Sequence, residues 1–287
     1  MYNSKLYLVQ CDRPFFLFVL MTCLWLGSLL PLISYSQCTT SDDAFINGEE
    51  ITYIVSYNWG PIWVDAGIVT FKTKLELKQE KPAWHLISTG RTFKSYDFLF
   101  KVRDTYETWL DTTNLQTIEF QRYIYEGGFQ MQNKSWFDYS RRLIFSNLKI
   151  NDTPMTVDTF SMAQCTYDML ASVYYVRSLN LDSIQNGDSI PVNVALDDGI
   201  YTISVRRNDK EIIEHPDGTL YPCNKFSAKM IEGTIFTKGQ EMFVWVSDDP
   251  NKIPIYIEAK ILVGSVKAYL KEAKGLKQPL MTVKPTK

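Results

Sequence analysis

Apolar and polar side chains alternate with a period of two along most of the chain from residue 49 onward, the spacing of strands that bury one face. Ile51, Tyr53, Val55 and Tyr57 share one face of a strand, and Trp59-Gly60-Pro61 turns the chain. Val69, Phe71, Thr73, Leu75 and Leu77 line one face of the next strand, with Thr70, Lys72, Lys74 and Glu76 on the other. An antiparallel sheet with one wet face has this pattern. Lys81-Pro82, Asp111-Thr112-Thr113-Asn114, Glu126-Gly127-Gly128 and Asp138-Tyr139-Ser140-Arg141 read as turns between aromatic-rich strands.

The rhythm breaks once. Ser161-Met162-Ala163-Gln164 has the spacing of a helix capping box. Cys165, Met169, Val173 and Val176 then recur at helical spacing, and Arg177 stands where a cation suits the helix dipole. Alternation resumes with Ile190, Val192, Val194 and Leu196, turns at Asp197-Asp198-Gly199, and continues through Tyr201, Ile203 and Val205. His215-Pro216-Asp217-Gly218, Lys238-Gly239 and Asp248-Asp249-Pro250-Asn251 mark later hairpins. The pattern therefore predicts a mainly β fold, either a curved antiparallel sheet or a half-closed β-barrel of at least about ten strands. One amphipathic helix, over about 162–179, packs on it. The tail after Lys271 loses all periodicity and reads as loose.

Ahead of this pattern, Lys5 and Arg13 flank an apolar run from Pro14 to Ile33 that closes on the small-x-small triplet Ser34-Tyr35-Ser36. Those are the parts of a signal peptide. The expected organisation is a leader over 1–36 and one β-rich domain over 37–287, ordered from about 45 to 270. That places the protein outside the cytoplasm, in the periplasm or extracellular space. A lipid anchor on Cys38 is disfavoured, because Gln37 stands where a lipobox needs a small residue.

Charge and cysteine content narrow the classes further. Thirty basic and 32 acidic residues leave a net charge of −2 with no basic run. Neither nucleic acid nor an anionic membrane surface is signalled. Of five cysteines, Cys11 and Cys23 lie in the leader, and Cys38, Cys165 and Cys223 allow at most one internal bridge. Cys165 and Cys223 read as buried free thiols; export permits a disulfide without requiring one.

Chemistry is sparse. No phosphate loop, dinucleotide fingerprint, H-E-x-x-H, C-x-x-C or G-x-S-x-G occurs, so nucleotides, metals, cofactors and a serine hydrolase have no motif behind them. His85 lies within a strand and His215 beside Pro216, as ordinary structural histidines do. Asp248, Asp249 and Glu258 are the carboxylates that a glycosidase could use, with Trp245 as a sugar platform. The alternative is that Asp-Asp-Pro-Asn simply builds a turn. Arg103-Asp104 and Arg206-Arg207 interrupt apolar strands, marking the polar end of a pocket or protecting an edge strand.

Several stretches together resemble the DUF3108 family of exported bacterial proteins. They are Gly48-Glu49-Glu50-Ile51-Thr52-Tyr53, Asp65-Ala66-Gly67, Phe100-Lys101-Val102-Arg103-Asp104, Tyr167-Asp168-Met169-Leu170, Tyr174-Tyr175-Val176-Arg177, Asn186-Gly187-Asp188 and Val244-Trp245-Val246-Ser247-Asp248-Asp249 leading to Ile253-Pro254. The resemblance implies an exported β protein and brings no catalytic residues. The expected function is non-enzymatic: binding an apolar or amphiphilic ligand, or an envelope partner, in the concave face of the sheet. The rival readings are a structural or assembly protein without a pocket, and a glycan-active hydrolase using Asp248, Asp249 or Glu258.

Overall fold

The computed structural model describes residues 38, 44–59, 62–197, 199–229, 240–261 and 264–284, all within the compact unit Cys38–Lys287. The leader with its Ser34-Tyr35-Ser36 triplet, Gly60-Pro61, Asp198 and the Lys238-Gly239 turn lie outside the described residues.

Among the described residues the alternation becomes fifteen strands. They are β1 (Glu50–Trp59), β2 (Ile62–Lys78), β3 (Lys81–Thr92), β4 (Arg103–Asp111), β5 (Thr117–Glu126), β6 (Phe129–Asp138), β7 (Leu143–Ile150) and β8 (Thr156–Ser161), then β9 (Thr166–Tyr167), β10 (Ser189–Leu196), β11 (Gly199–Glu214), β12 (Leu220–Lys229), β13 (Glu241–Ser247), β14 (Pro254–Lys260) and β15 (Ser265–Lys274). All belong to one sheet in the order β8-β7-β6-β5-β4-β3-β2-β1-β15-β14-β13-β12-β11-β10-β9. Two up-and-down meanders are thus joined where β1 pairs with β15. Every pairing is antiparallel except β9 with β10.

So large a twisted sheet curls. Ile144 on β7 packs in one cluster with Ala195 on β10 and Ile200 on β11, although these strands lie near opposite flanks. β8 and β9 remain unpaired with each other, so the ladder stays open. The sheet is the expected curved, half-closed form.

The helix α1 (Met169–Ser178) sits against β3, β4, β9 and β10 on the concave side. Leu170, Ala171 and Tyr174 bury against Leu86, Leu110, Val192 and Val194. Both the start and the buried face differ from the sequence reading. Ser161 pairs with Leu143 as the last residue of β8, and Cys165 is left-handed at φ 55°. The cap is Asp168, whose carboxylate accepts from the Leu170 and Ala171 amides, each at 2.9 Å. With that start, Val173 faces water at 41 % exposure. Arg177 turns into the core instead of toward the helix-end solvent.

Two other expectations are corrected. Cys165 is bridged to Cys38, while Cys223 is the buried free thiol, its pKa pushed up to about 12 by burial. The tail is tied down rather than loose. Leu276 and Leu280 pack on the cluster of Ile253 and Ile255, Met281 N donates to Asp249 at 3.0 Å, and Val283 bridges Leu220.

Candidate functional site

The carboxylates singled out from sequence do not converge. Asp248 and Asp249 follow β13 and build the turn. Asp248 pairs with Lys210 at 2.7 Å and accepts from Asn224 at 2.8 Å. Against burial, which would raise it, these two donors hold its pKa below the usual carboxylate range. Asp249 accepts from Ser247 Oγ at 3.1 Å and from the Asn251 amide at 2.9 Å. Glu258 stands in β14 opposite Phe243 and accepts from the Tyr256 hydroxyl at 2.7 Å. Trp245 is only 7 % exposed, its Nε1 donating to Glu211 at 2.6 Å and its ring tilted on Tyr256. No free ring face is left to carry a sugar.

The histidines are held as parts of the sheet. His85 stacks on Trp109 and lies 2.8 Å from Glu107; His215 Nε2 meets the Leu270 carbonyl at 2.6 Å. Among the described residues no group of three or more His, Cys, Asp or Glu is placed to hold a metal ion.

Where α1 packs against β3, β4, β9 and β10 the concave face is filled rather than open. A cavity of about 10 Å³ lies between Phe120, Arg122, Asn133, Ser135, Phe137 and Met169. That is room for about one water molecule, where a ligand pocket takes roughly 300 Å³ or more. Arg122 and Asp197 form an ion pair at its edge. The helix and its cluster occupy the space where sequence reasoning placed a ligand.

What the structure does present is a rim of apolar side chains at one end of the sheet. Between β3 and β4 the chain leaves the ladder through a single 3-10 turn at Lys94–Tyr96. Phe98, Leu99 and Phe100 then follow at 80 %, 56 % and 54 % exposure. The loop is pinned at its base. Asp97 accepts from Thr92 Oγ1 at 2.8 Å and pairs with Arg103 at 2.5 Å. Arg103 and then Thr92 hold the Asp97 carboxyl below its ordinary range. Val102 N donates to Thr92 Oγ1 at 3.1 Å, and Leu99 N to the Tyr96 carbonyl at 2.9 Å. The Gly127 amide donates to Lys101 O at 2.9 Å. Gly127 has φ 57°, and a Cβ there would run into the Phe100 ring.

Arg103 does not protect an edge, since β4 lies between β3 and β5; its guanidinium pairs with Asp97 at the loop base. Nor does β11, with Arg206-Arg207, form an edge; Arg207 bonds inward to the Leu181 and Ile184 carbonyls. The prong itself escaped sequence reasoning. The only available signal was an apolar triplet bracketed by Lys94 and Lys101, which composition alone assigns to a strand. The same end carries Ile62 and Trp63 at the start of β2 and Phe129 at the start of β6, at 64 %, 40 % and 37 % exposure.

Comparison with known proteins agrees with this architecture. The family described as "Protein of unknown function (DUF3108)" matches residues 52–271. The crystal structure of a beta-barrel-like protein of the domain of unknown function DUF1849 from Brucella abortus superposes with a TM-score of 0.51. It is 6 % identical, over 80 % of this chain and 98 % of that one, so the likeness concerns the fold alone. No curated protein matches the chain.

Proposed function

We propose that this chain, which belongs to the DUF3108 family, is an exported cell-envelope protein that works without catalysis, docking an apolar or amphiphilic envelope component on its loop rim. The observation that carries the reading is the exposed Phe98-Leu99-Phe100 triplet on a loop pinned by Asp97 and Arg103. Covering a large apolar side chain is worth roughly 1.5–3 kcal/mol. A loose loop would recover part of that by folding the rings back. A pinned loop holds them outward and lowers the ordering cost that a partner has to meet.

Export is supported by the cysteine chemistry. The Cys38–Cys165 bridge suits an oxidising compartment. It also commits the sulfur that a lipid anchor would require as a thioether, in line with Gln37 standing before Cys38. The leader read from sequence would be removed after Ser36. N-terminal sequencing that returned Met1, or an intact mass carrying a diacylglycerol, would overturn this part of the reading. No helix among the described residues is long and apolar enough to cross a membrane.

The docking reading is tested by placing a photoreactive amino acid at position 98 and irradiating living cells. An envelope component covalently attached there is the expected result. A structural protein without a partner at this rim gives no adduct, and that outcome sinks the proposal.

A further inference from the structure

We infer that the occupant of the rim is an anionic lipid surface, into which Phe98, Leu99 and Phe100 insert while Lys94 and Lys101 meet headgroups. This rests on the docking reading above and names its partner. The segment between β3 and β4 carries Lys94, Lys101 and Asp97, with Arg103 at its base where β4 begins and the carboxyls of Asp104 and Glu126 just beyond. Asp97 is spent on Arg103 at the loop base. Lys94 and Lys101, both exposed, stand on either side of the apolar triplet. Long lysine stems reach headgroups while neighbouring apolar side chains enter the acyl boundary. Two lysines make no basic run in the sequence; what distinguishes them is their place beside an exposed apolar triplet.

Charge complementarity selects the lipid over the other occupants of an apolar prong. A second copy meeting this one prong to prong would bring Lys94 and Lys101 against the same two lysines, because a two-fold contact opposes identical patches. A protein groove would have to match three successive side chains projecting from one tight loop. A bilayer boundary accepts all three without a shaped pocket. The contact is peripheral, and it draws its strength from apolar insertion and basic charge acting together.

The test is flotation of the full mature protein with vesicles of phosphatidylcholine alone and of phosphatidylcholine with about 30 % phosphatidylglycerol. Binding to the anionic vesicles only, weakened at about 0.5 M salt, is expected. The double variant Phe98→Ser/Leu99→Ser should lose roughly tenfold or more in binding, and so should Lys94→Glu/Lys101→Glu. Leu77→Ser, at an equally exposed apolar site by the opposite end of β3, should bind as the parent does. All five positions are exposed, so unchanged thermal melts separate lost binding from lost fold. Parent protein that ignores anionic vesicles, or a serine double variant that still floats, overturns the lipid assignment. Photoreactive position 98 then separates the two levels. Adducts to protein alone overturn the lipid and leave the docking reading standing, whereas no adduct of any kind removes both.

Discussion

Glu49 and Arg177 lie 128 residues apart and form a bidentate ion pair in the core, with Oε1 2.8 Å from Nη1 and Oε2 2.9 Å from Nη2. Both side chains are almost completely buried, at 1 % and 5 % exposure. Arg177 also donates to the carbonyls of Ala44 and Asn251. The guanidinium therefore ties the entry to β1, the end of α1 and the turn after β13 into one point. Removing one partner strands the other charge without water, at a cost of about 3–5 kcal/mol. Glu49→Gln should show that loss in urea unfolding. The double variant Glu49→Leu/Arg177→Met should lie closer to the parent than either single change, because no charge is stranded. A Glu49→Gln protein as stable as the parent would refute the pin.

The helix offers a sharper contrast. Leu170 and Val173 are three residues apart, yet Leu170 is 5 % exposed and Val173 41 %. Leu170→Asp should leave no folded protein, since an unpaired buried carboxylate costs several kcal/mol. Val173→Asp should shift stability by less than about 0.5 kcal/mol. Asp168 is buried, and its second oxygen accepts from Thr108 at 2.7 Å and from Thr117 at 2.8 Å. Burial raises its pKa, opposed by these donors and the two amides. Asp168→Ala removes the cap and both hydroxyl contacts, for a loss of about 2–4 kcal/mol in thermal melts. Equal melts for the Leu170 and Val173 variants would mean that the helix packs by another face.

These residues also show where sequence reasoning reaches its limit. Alternation alone puts Phe71 and Thr73 on one strand face; Phe71 packs on the cluster that holds Leu170 and Tyr174, and Thr73 meets the helix through a 3.2 Å hydrogen bond to the Tyr174 hydroxyl. Sheet patterning is local, so it is legible. The helix start is not, because Ser161 and Gln164 have the spacing of a capping box while Ser161 is held in β8. What cancels the box is long-range: the ladder to Leu143 and the bridge to Cys38. The prong was invisible for a related reason. Phe98, Leu99 and Phe100 are ordinary strand formers, and what holds them out of the ladder is the bonding of Asp97 to Thr92 and Arg103 together with the Gly127 amide on the Lys101 carbonyl. Tail docking through Asn251 and Gln278 was missed likewise, since no periodicity announces a pair of side chain-to-backbone bonds.

The disulfide closes a loop of 127 residues. Cross-linking so long a segment restricts the unfolded chain and should contribute about 2–4 kcal/mol. Cys38→Ser should lower the melting temperature, and a reductant should lower the parent to a similar value while leaving the variant unchanged. Cys223→Ser should not alter the response to reductant. A parent protein indifferent to reductant would mean that the bridge adds nothing.

The last expectation concerns pH. Asp104 begins the inward face of β4 beside the rim, accepts from the Tyr125 amide at 3.1 Å and neighbours Glu126. Burial, helped by the Glu126 carboxyl and opposed by that amide, raises its pKa to about 7. Its folded pKa thus lies above its unfolded value of about 3.9. Between those values the folded protein holds a proton that the unfolded chain releases. Its contribution to stability is therefore complete below about pH 4 and is lost as pH rises through 7. The group is half-exposed, and water screening leaves about 1–2 kcal/mol of the nominal shift. Asp104→Asn keeps the amide contact and stays neutral at every pH. It should flatten the fall in stability between pH 5 and 8, and exceed the parent at pH 8 by that amount. Acids held low, such as Asp138 and Asp217 at about 2, titrate outside this window. Urea midpoints at pH 5, 6.5 and 8 for both proteins decide the matter. Parallel curves would place the pH dependence elsewhere and return Asp104 to the ordinary carboxylates.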